Sequence, residues 1–241
     1  MKKPLKKHLE MEALFGADFL PISRKGRSAA APPQAAPPRA PAKPVPAAPP
    51  KAAGPAYPQE YLEYMEKVRT CNDCKLRDGA TQMVFGVGPL GVPLMFVGEA
   101  PGADEDRQGE PFVGRAGQLL TRTLQKIGVQ RSQVYIANIL KYRPPDNRTP
   151  QYQEMVACMP HLMKQIQFVK PKIICTLGNI AAQALLNTKQ GITKLRGKYV
   201  EAFGVKIFPT FHPAYILRNM NELGLFETDL RKVCRDAELT K

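Results

Sequence analysis

Residues 92–139 read VPLMFVGEAPGADEDRQGEPFVGRAGQLLTRTLQKIGVQRSQVYIANI. The first seven, VPLMFVG (92–98), form a short apolar run closed by glycine, which predicts a buried strand. GRAGQLLTRTLQKIG (114–128) has helical spacing and stops at Gly128. QVYIANI (133–139) is a second apolar run of strand length. A strand, a helix and a strand in this order predict a parallel pair with the helix crossing over it.

The same alternation continues on both sides. PQEYLEYMEKVRT (58–70) predicts a helix that leads into CNDC (71–74). TPQYQEMVACMPHLMKQIQFV (149–169) predicts another, with Thr149 as its cap and Pro150 in its first turn. PKIICTLG (171–178) is the third strand and NIAAQALL (179–186) the next helix. YVEAFGVKIFPTFHP (199–213) holds two strands about a turn at Gly204, and FETDLRKVCRDAEL (226–239) closes the chain as a helix. The expected fold is a three-layer αβα sandwich around a central, mainly parallel, four-stranded sheet.

The chain divides into a basic N-terminal segment (1–27), an Ala/Pro-rich linker (28–57) and a globular domain (58–241). Proline at this density precludes helix and sheet, so the linker is expected to be disordered and extended. The net charge is +14, and residues 1–55, with ten basic and three acidic side chains, supply +7 of it. Such a balance favours an anionic partner, nucleic acid first. No apolar run is long enough to span a membrane, and the N-terminus makes a poor signal peptide. Five cysteines in a chain expected in the cytoplasm suggest free thiols or a metal site before a disulfide framework.

Four polar, Gly- and Pro-rich segments fall just beyond predicted strand ends: GEAPGADEDRQGEPFVGRAG (98–117), NILKYRPPDNR (138–148), LGNIAA (177–182) and FHPAYILRN (211–219). In open α/β sheets that edge is where ligands bind. No Walker Gly-Lys-Ser/Thr loop is present, which argues against a nucleotide hydrolase.

Together these segments resemble the family 4 uracil-DNA glycosylases, the bacterial and archaeal iron–sulfur type, from about Cys71 to Asn219. The resemblance implies hydrolysis of the N-glycosidic bond of uracil in DNA, leaving an abasic site for base-excision repair. The alternative is a protein that binds uracil-containing or abasic DNA without turnover. The uracil-crosslinking branch carries a histidine-containing loop near the RPP motif, and no histidine lies between 138 and 150. A base must leave the duplex to be reached. Phe112 suits stacking on the flipped ring. The amide of Asn138 can pair N3–H and O4 of uracil and would be mispaired by cytosine. By analogy with the family, Glu105 occupies the side of the pocket facing the 5-position, and Glu99, Ala100 and Pro101 line the base. His212 would stabilise charge on O2 as the bond breaks; His8 and His161 are poorer alternatives. Ala100 replaces the water-orienting aspartate of family 1, which leaves Glu99 and Glu105 as candidates for that task.

Tyr215, Ile216 and Leu217 are expected to wedge into the base stack, with Arg218 on a phosphate. Arg143, Arg148, Lys194, Arg196 and Lys198 are further phosphate candidates. The segment MEALF (11–15) loosely resembles sliding-clamp-binding peptides of bacterial repair proteins. A monomer is expected.

The family holds a [4Fe–4S] cluster on four cysteines. Cys71, Cys74 and Cys158 match three of them, and Tyr142 stands at the fourth, in K-Y-R-P-P. Open readings are a cluster with Tyr142, water or another ligand on the fourth iron, a [3Fe–4S] or oxygen-labile cluster, or cysteines that merely pack. Zinc on the same three cysteines is a further alternative.

Overall fold

A computed structural model describes residues 56–240. His8, the clamp-like peptide and all but the end of the linker lie outside the described residues. Helix α1 (Gln59–Arg69) and the single turn α2 (Leu76–Gly79) precede strand β1 (Leu94–Gly98). Then follow α3 (Ala103–Gln108), α4 (Arg115–Lys126), β2 (Tyr135–Asn138), α5 (Tyr152–Val169), β3 (Ile173–Leu177) and α6 (Asn179–Leu186). The chain closes with α7 (Ile192–Leu195), β4 (Val200–Ala202), β5 (Val205–Thr210), α8 (Pro213–Ile216) and α9 (Leu223–Asp236).

The sheet runs β2-β1-β3-β5-β4. β1 is parallel to β2 and to β3, and β3 is parallel to β5. The sheet has five strands where four were expected, the fifth being β4, an antiparallel edge strand. It is short and exposed apart from half-buried Ala202, so it carries little apolar signal of its own. Its turn places Phe203 and Gly204 at φ 54° and 69°.

Side chains alternate across the sheet, as strand geometry requires. Met95, Val97, Tyr135, Ala137 and Ile174 pack on one face with Tyr61, Val68, Leu162 and Ile166. Leu94, Phe96, Ile136, Ile173 and Phe208 pack on the other with Leu120, Leu124, Phe226 and Leu230. Both faces are therefore covered, which makes the three layers of the sandwich and explains why β1, β2 and β3 are buried along their whole length.

From β1 the chain moves outward to β2 and then crosses to β3 on the other side. The carboxyl ends of β1 and β3 thus form the switch point at which open α/β sheets leave a crevice. One helix start differs from expectation. α5 begins at Tyr152, not at Thr149, because Glu154 reaches back to accept from the Gln151 N–H at 2.7 Å. That reciprocal cap outcompetes the Thr-Pro signal.

Candidate active site

A cavity of about 500 Å³ opens at the switch point. Glu99, Ala100, Pro101, Glu105, Phe112, Asn138, His212, Arg148 and Arg218 are among its lining residues. Asn138 ends β2 directly beside Gly98 at the end of β1. A Cβ on Gly98 would lie 2.4 Å from Asn138 Oδ1 and 2.5 Å from Phe112 Cζ. The missing side chain therefore lets the amide and the ring share one wall.

Asn138 is buried, and its Oδ1 has no hydrogen-bond partner among the described residues. An orphaned buried acceptor costs about 1–3 kcal/mol. It is set in the cavity wall, where it is open to a ligand. Phe112 holds a left-handed backbone (φ 53°), and Gly117 makes room for it, since a Cβ there would strike the Phe112 carbonyl. Strain of this kind persists where surrounding packing over-determines it. The Phe112 and His212 ring centroids are 5.6 Å apart.

His212 caps α8, its Nδ1 accepting the Ala214 N–H at 3.1 Å. With Nδ1 an acceptor, the neutral ring carries its proton on Nε2. Burial pushes its pKa down to about 4, and the charge of Arg218 adds to that. Gly178 (φ 94°) sits against it, where a Cβ would lie 2.8 Å from His212 Cβ.

The Glu105 carboxylate is already engaged. Oε1 accepts from the Val113 and Gly114 N–H groups, each at 2.9 Å, and Oε2 accepts from Gly102 N–H at 3.2 Å. It ties the loop after β1 to the loop that carries Phe112. Ile139 N–H donates to the Gly98 carbonyl and Leu140 N–H to that of Glu99, so the loops after β1 and β2 are also joined.

The profile of the "Uracil DNA glycosylase superfamily" matches residues 85–237. A type-4 uracil-DNA glycosylase of Thermotoga maritima is 46% identical over 169 residues, covering 68% of this chain and 88% of that one. The chain belongs to the type-4 uracil-DNA glycosylases. Proteins of the same name are 46% identical in Sulfurisphaera tokodaii (70% of this chain, 80% of the relative) and 40% identical in Archaeoglobus fulgidus (71% and 90%).

Around this type-4 pocket the expected DNA contacts divide. Arg218 is exposed at the rim. Ile216 is fully buried in the second core, so it is not a wedge; α8 is a single turn whose apolar side turns inward. Tyr215 and Leu217 are half-buried against the same core, and Tyr215 lies over Phe211 with centroids 5.0 Å apart. Arg196 is not a free phosphate contact either. It pairs with buried Asp229 at 2.8 Å and lies over the Phe211 ring. Arg148 forms a two-point ion pair with Glu154, and Arg143 Nε donates to Asn147 Oδ1 at 2.8 Å. Lys194 and Lys198 are exposed.

Cys71, Cys74, Cys158 and Tyr142 gather around a second, much smaller pocket, together with Asp73, Lys141 and His161. A hydrogen bond from Cys158 draws the Cys74 thiol down to about 7, while the same bond and burial hold Cys158 up. The Tyr142 hydroxyl donates to the Arg69 carbonyl at 3.0 Å. Cys175 and Cys234 lie in the opposite core.

Sequence reasoning missed Lys141 as a site residue. Its side chain is wholly buried and bonds the Asn138 carbonyl. A lysine in a loop of charged residues gives no sign of burial. It also passed over His161, although Cys158-x-x-His161 on one helix was a readable signal.

Proposed function

We propose that this chain removes uracil from DNA by hydrolysing the N-glycosidic bond, releasing the free base and leaving an abasic site. The observation that carries the reading is the buried, partnerless Oδ1 of Asn138 in the wall of a cavity large enough for a flipped nucleotide. Oδ1 would accept from N3–H of uracil while the amide nitrogen donates to O4. Cytosine offers the reverse pattern and would leave both groups of the amide unpaired.

Phe112 would stack on the base. As the glycosidic bond lengthens, the sugar becomes cationic and negative charge gathers on O2. His212 would donate Nε2–H to that oxygen as a neutral imidazole, a preorganised donor in a site shielded from bulk water. Both Glu99 and Glu105 line the cavity; we assign the orienting of the attacking water to Glu99, which follows directly on the carboxyl end of β1.

Arg218 would hold a phosphate at the rim. The protein is read as a cytoplasmic monomer whose MEALF segment docks on the sliding clamp. Equal clamp recovery with and without residues 8–20 would dispose of that docking.

A metal centre at Cys71, Cys74 and Cys158 would brace the loop between β2 and α5 and take no part in the chemistry. The four-thiolate set of a [4Fe–4S] cluster is not met by these residues. Tyr142 holds the fourth position, and its hydroxyl is engaged by Arg69.

Single-turnover excision from uracil-, thymine- and cytosine-containing oligonucleotides tests the reading. Uracil alone should be released. Asn138→Ala and His212→Ala should each slow release at least about a hundredfold. Near-native rates in both would refute the site.

A further inference from the structure

The single turn α8 offers no free wedge. Ile216 is fully buried, and Tyr215 and Leu217 are half-buried against the same core. A base drawn out of a duplex leaves a gap in the stack. Proteins that open a base step fill it with an inserted apolar side chain, methionine among them. Such a side chain must be large, exposed before DNA arrives, and fixed beside the mouth of the cavity.

Four large apolar side chains are exposed among the described residues: Leu62, Val200, Met220 and Leu225. Leu62 lies on α1, Val200 on the edge strand β4 and Leu225 on α9, and none of these elements lines the cavity. Met220 is the most exposed of the four, at 55%. It follows Arg218 by two residues, and Arg218 lines the cavity together with His212. Two residues of chain reach at most about 7 Å, which is about two base steps along a strand.

This segment is tied down. Arg218 N–H donates to the Tyr215 carbonyl and Asn219 N–H to that of Ile216, each at 3.0 Å. The Asn219 side-chain amide donates to the Tyr215 carbonyl as well, also at 3.0 Å. Glu222 N–H then donates back to the Asn219 carbonyl across the 3₁₀ turn Met220–Glu222. One short bonded stretch therefore carries the histidine in the cavity, the arginine at its rim and the methionine just beyond. The unbranched, polarisable side chain of methionine adapts to gaps of irregular shape.

We propose that Met220 enters the duplex as uracil leaves it, filling the vacated space and keeping the base in the cavity. The proposal rests on the glycosylase reading and adds a substrate class to it. Paired DNA is opened with the help of Met220, whereas single-stranded DNA has no gap to fill. Met220 touches no reacting atom; it acts on the neighbouring base pairs.

Single-turnover excision from one sequence in several forms tests this. Met220→Ala should slow release from a U·A duplex about tenfold or more, from a U·G mispair less, and from the single strand not at all. Met220→Leu should restore the duplex rate. A duplex with pyrene opposite the uracil has its gap already filled, so Met220→Ala should act on it at nearly the parent's rate. A 2-aminopurine beside the uracil should brighten when the parent binds and stay quenched with Met220→Ala. Equal slowing on duplex and single strand would overturn the proposal, because that is the mark of a damaged site or fold. So would an unchanged rate on the U·A duplex. A duplex-selective loss in Leu225→Ala, or in Pro145→Ser at the exposed loop after β2, with none in Met220→Ala, would also overturn it. Parent protein that releases uracil from neither form would refute the glycosylase reading itself and this proposal with it, a result distinct from the others.

Discussion

Lys141 Nζ lies 2.5 Å from the carbonyl oxygen of Asn138 and 2.6 Å from Gln165 Oε1. The residue assigned to read the base is therefore held from behind by a buried amine anchored to α5. Lys141→Met removes the donor and leaves two buried acceptors without a partner. We expect a loss of about 2–4 kcal/mol in denaturant unfolding, and excision slowed by more than that loss accounts for, in protein that remains folded. Full excision activity in the variant would show that Asn138 needs no such support.

Gly98→Ala should act on chemistry more than on folding. The new methyl would meet Asn138 Oδ1 and Phe112 Cζ at 2.4 and 2.5 Å. A displacement on the order of 1 Å in a positioned group costs about a hundredfold in rate. The expected result is excision reduced about that much, with affinity for abasic DNA retained. Unchanged excision would mean that the two side chains do not act from these positions.

The two glutamates should separate cleanly. Glu105→Gln loses charge at three backbone N–H contacts and puts an amide donor against at least one of them, so thermal stability should fall. Glu99→Gln should slow single-turnover excision by more than any change in melting temperature accounts for. The opposite pattern would move the water-orienting role to Glu105.

His212 gives a pH prediction. Its folded pKa is near 4, below its ordinary value of 6.5. Between those values the unfolded chain binds the proton that the folded chain refuses. The stabilising contribution is thus complete above about pH 6.5 and is lost as pH falls toward 4. Excision should be flat with respect to His212 from about pH 5.5 to 8. A loss of excision as pH rises through about 6.5 that vanishes in His212→Asn would contradict a neutral donor.

Salt titration should distinguish the arginines. Arg218→Ala, at the rim, should lower the slope of log K against log salt by about 1. Arg196→Ala should leave the slope nearly unchanged and cost stability, because its partner Asp229 is buried and also accepts from Thr210. Equal changes in slope would return Arg196 to the DNA face.

Much of this arrangement was legible in the chain. The glycine-terminated run at 92–98 and its repeats gave the parallel sheet, because strands buried on both faces are written as unbroken apolar stretches. Asn138, Phe112 and His212 could be placed together because their three segments begin at or beyond predicted strand ends and together resemble the motifs of one family. Ile216 could not be placed, since one helical turn shows no periodicity that separates inward from outward positions. The Gln151-x-x-Glu154 cap was masked by the Thr149-Pro150 signal, and the pairing of Arg148 with Glu154 was hidden with it. Lys141 was opaque for a different reason: its burial depends on Gln165, twenty-four residues away.

A line of buried polar atoms runs from the Tyr61 hydroxyl to that of Tyr135 at 2.6 Å, on to Gln165, and through Lys141 to Asn138. Tyr61 precedes the stretch matched by the superfamily profile, which begins at residue 85. Cutting the protein at that boundary would strip the far end of the line and leave the Tyr135 hydroxyl, deep in the molecule, without its Tyr61 partner. The smallest working enzyme is therefore expected to begin upstream of the recognisable domain, at or before α1.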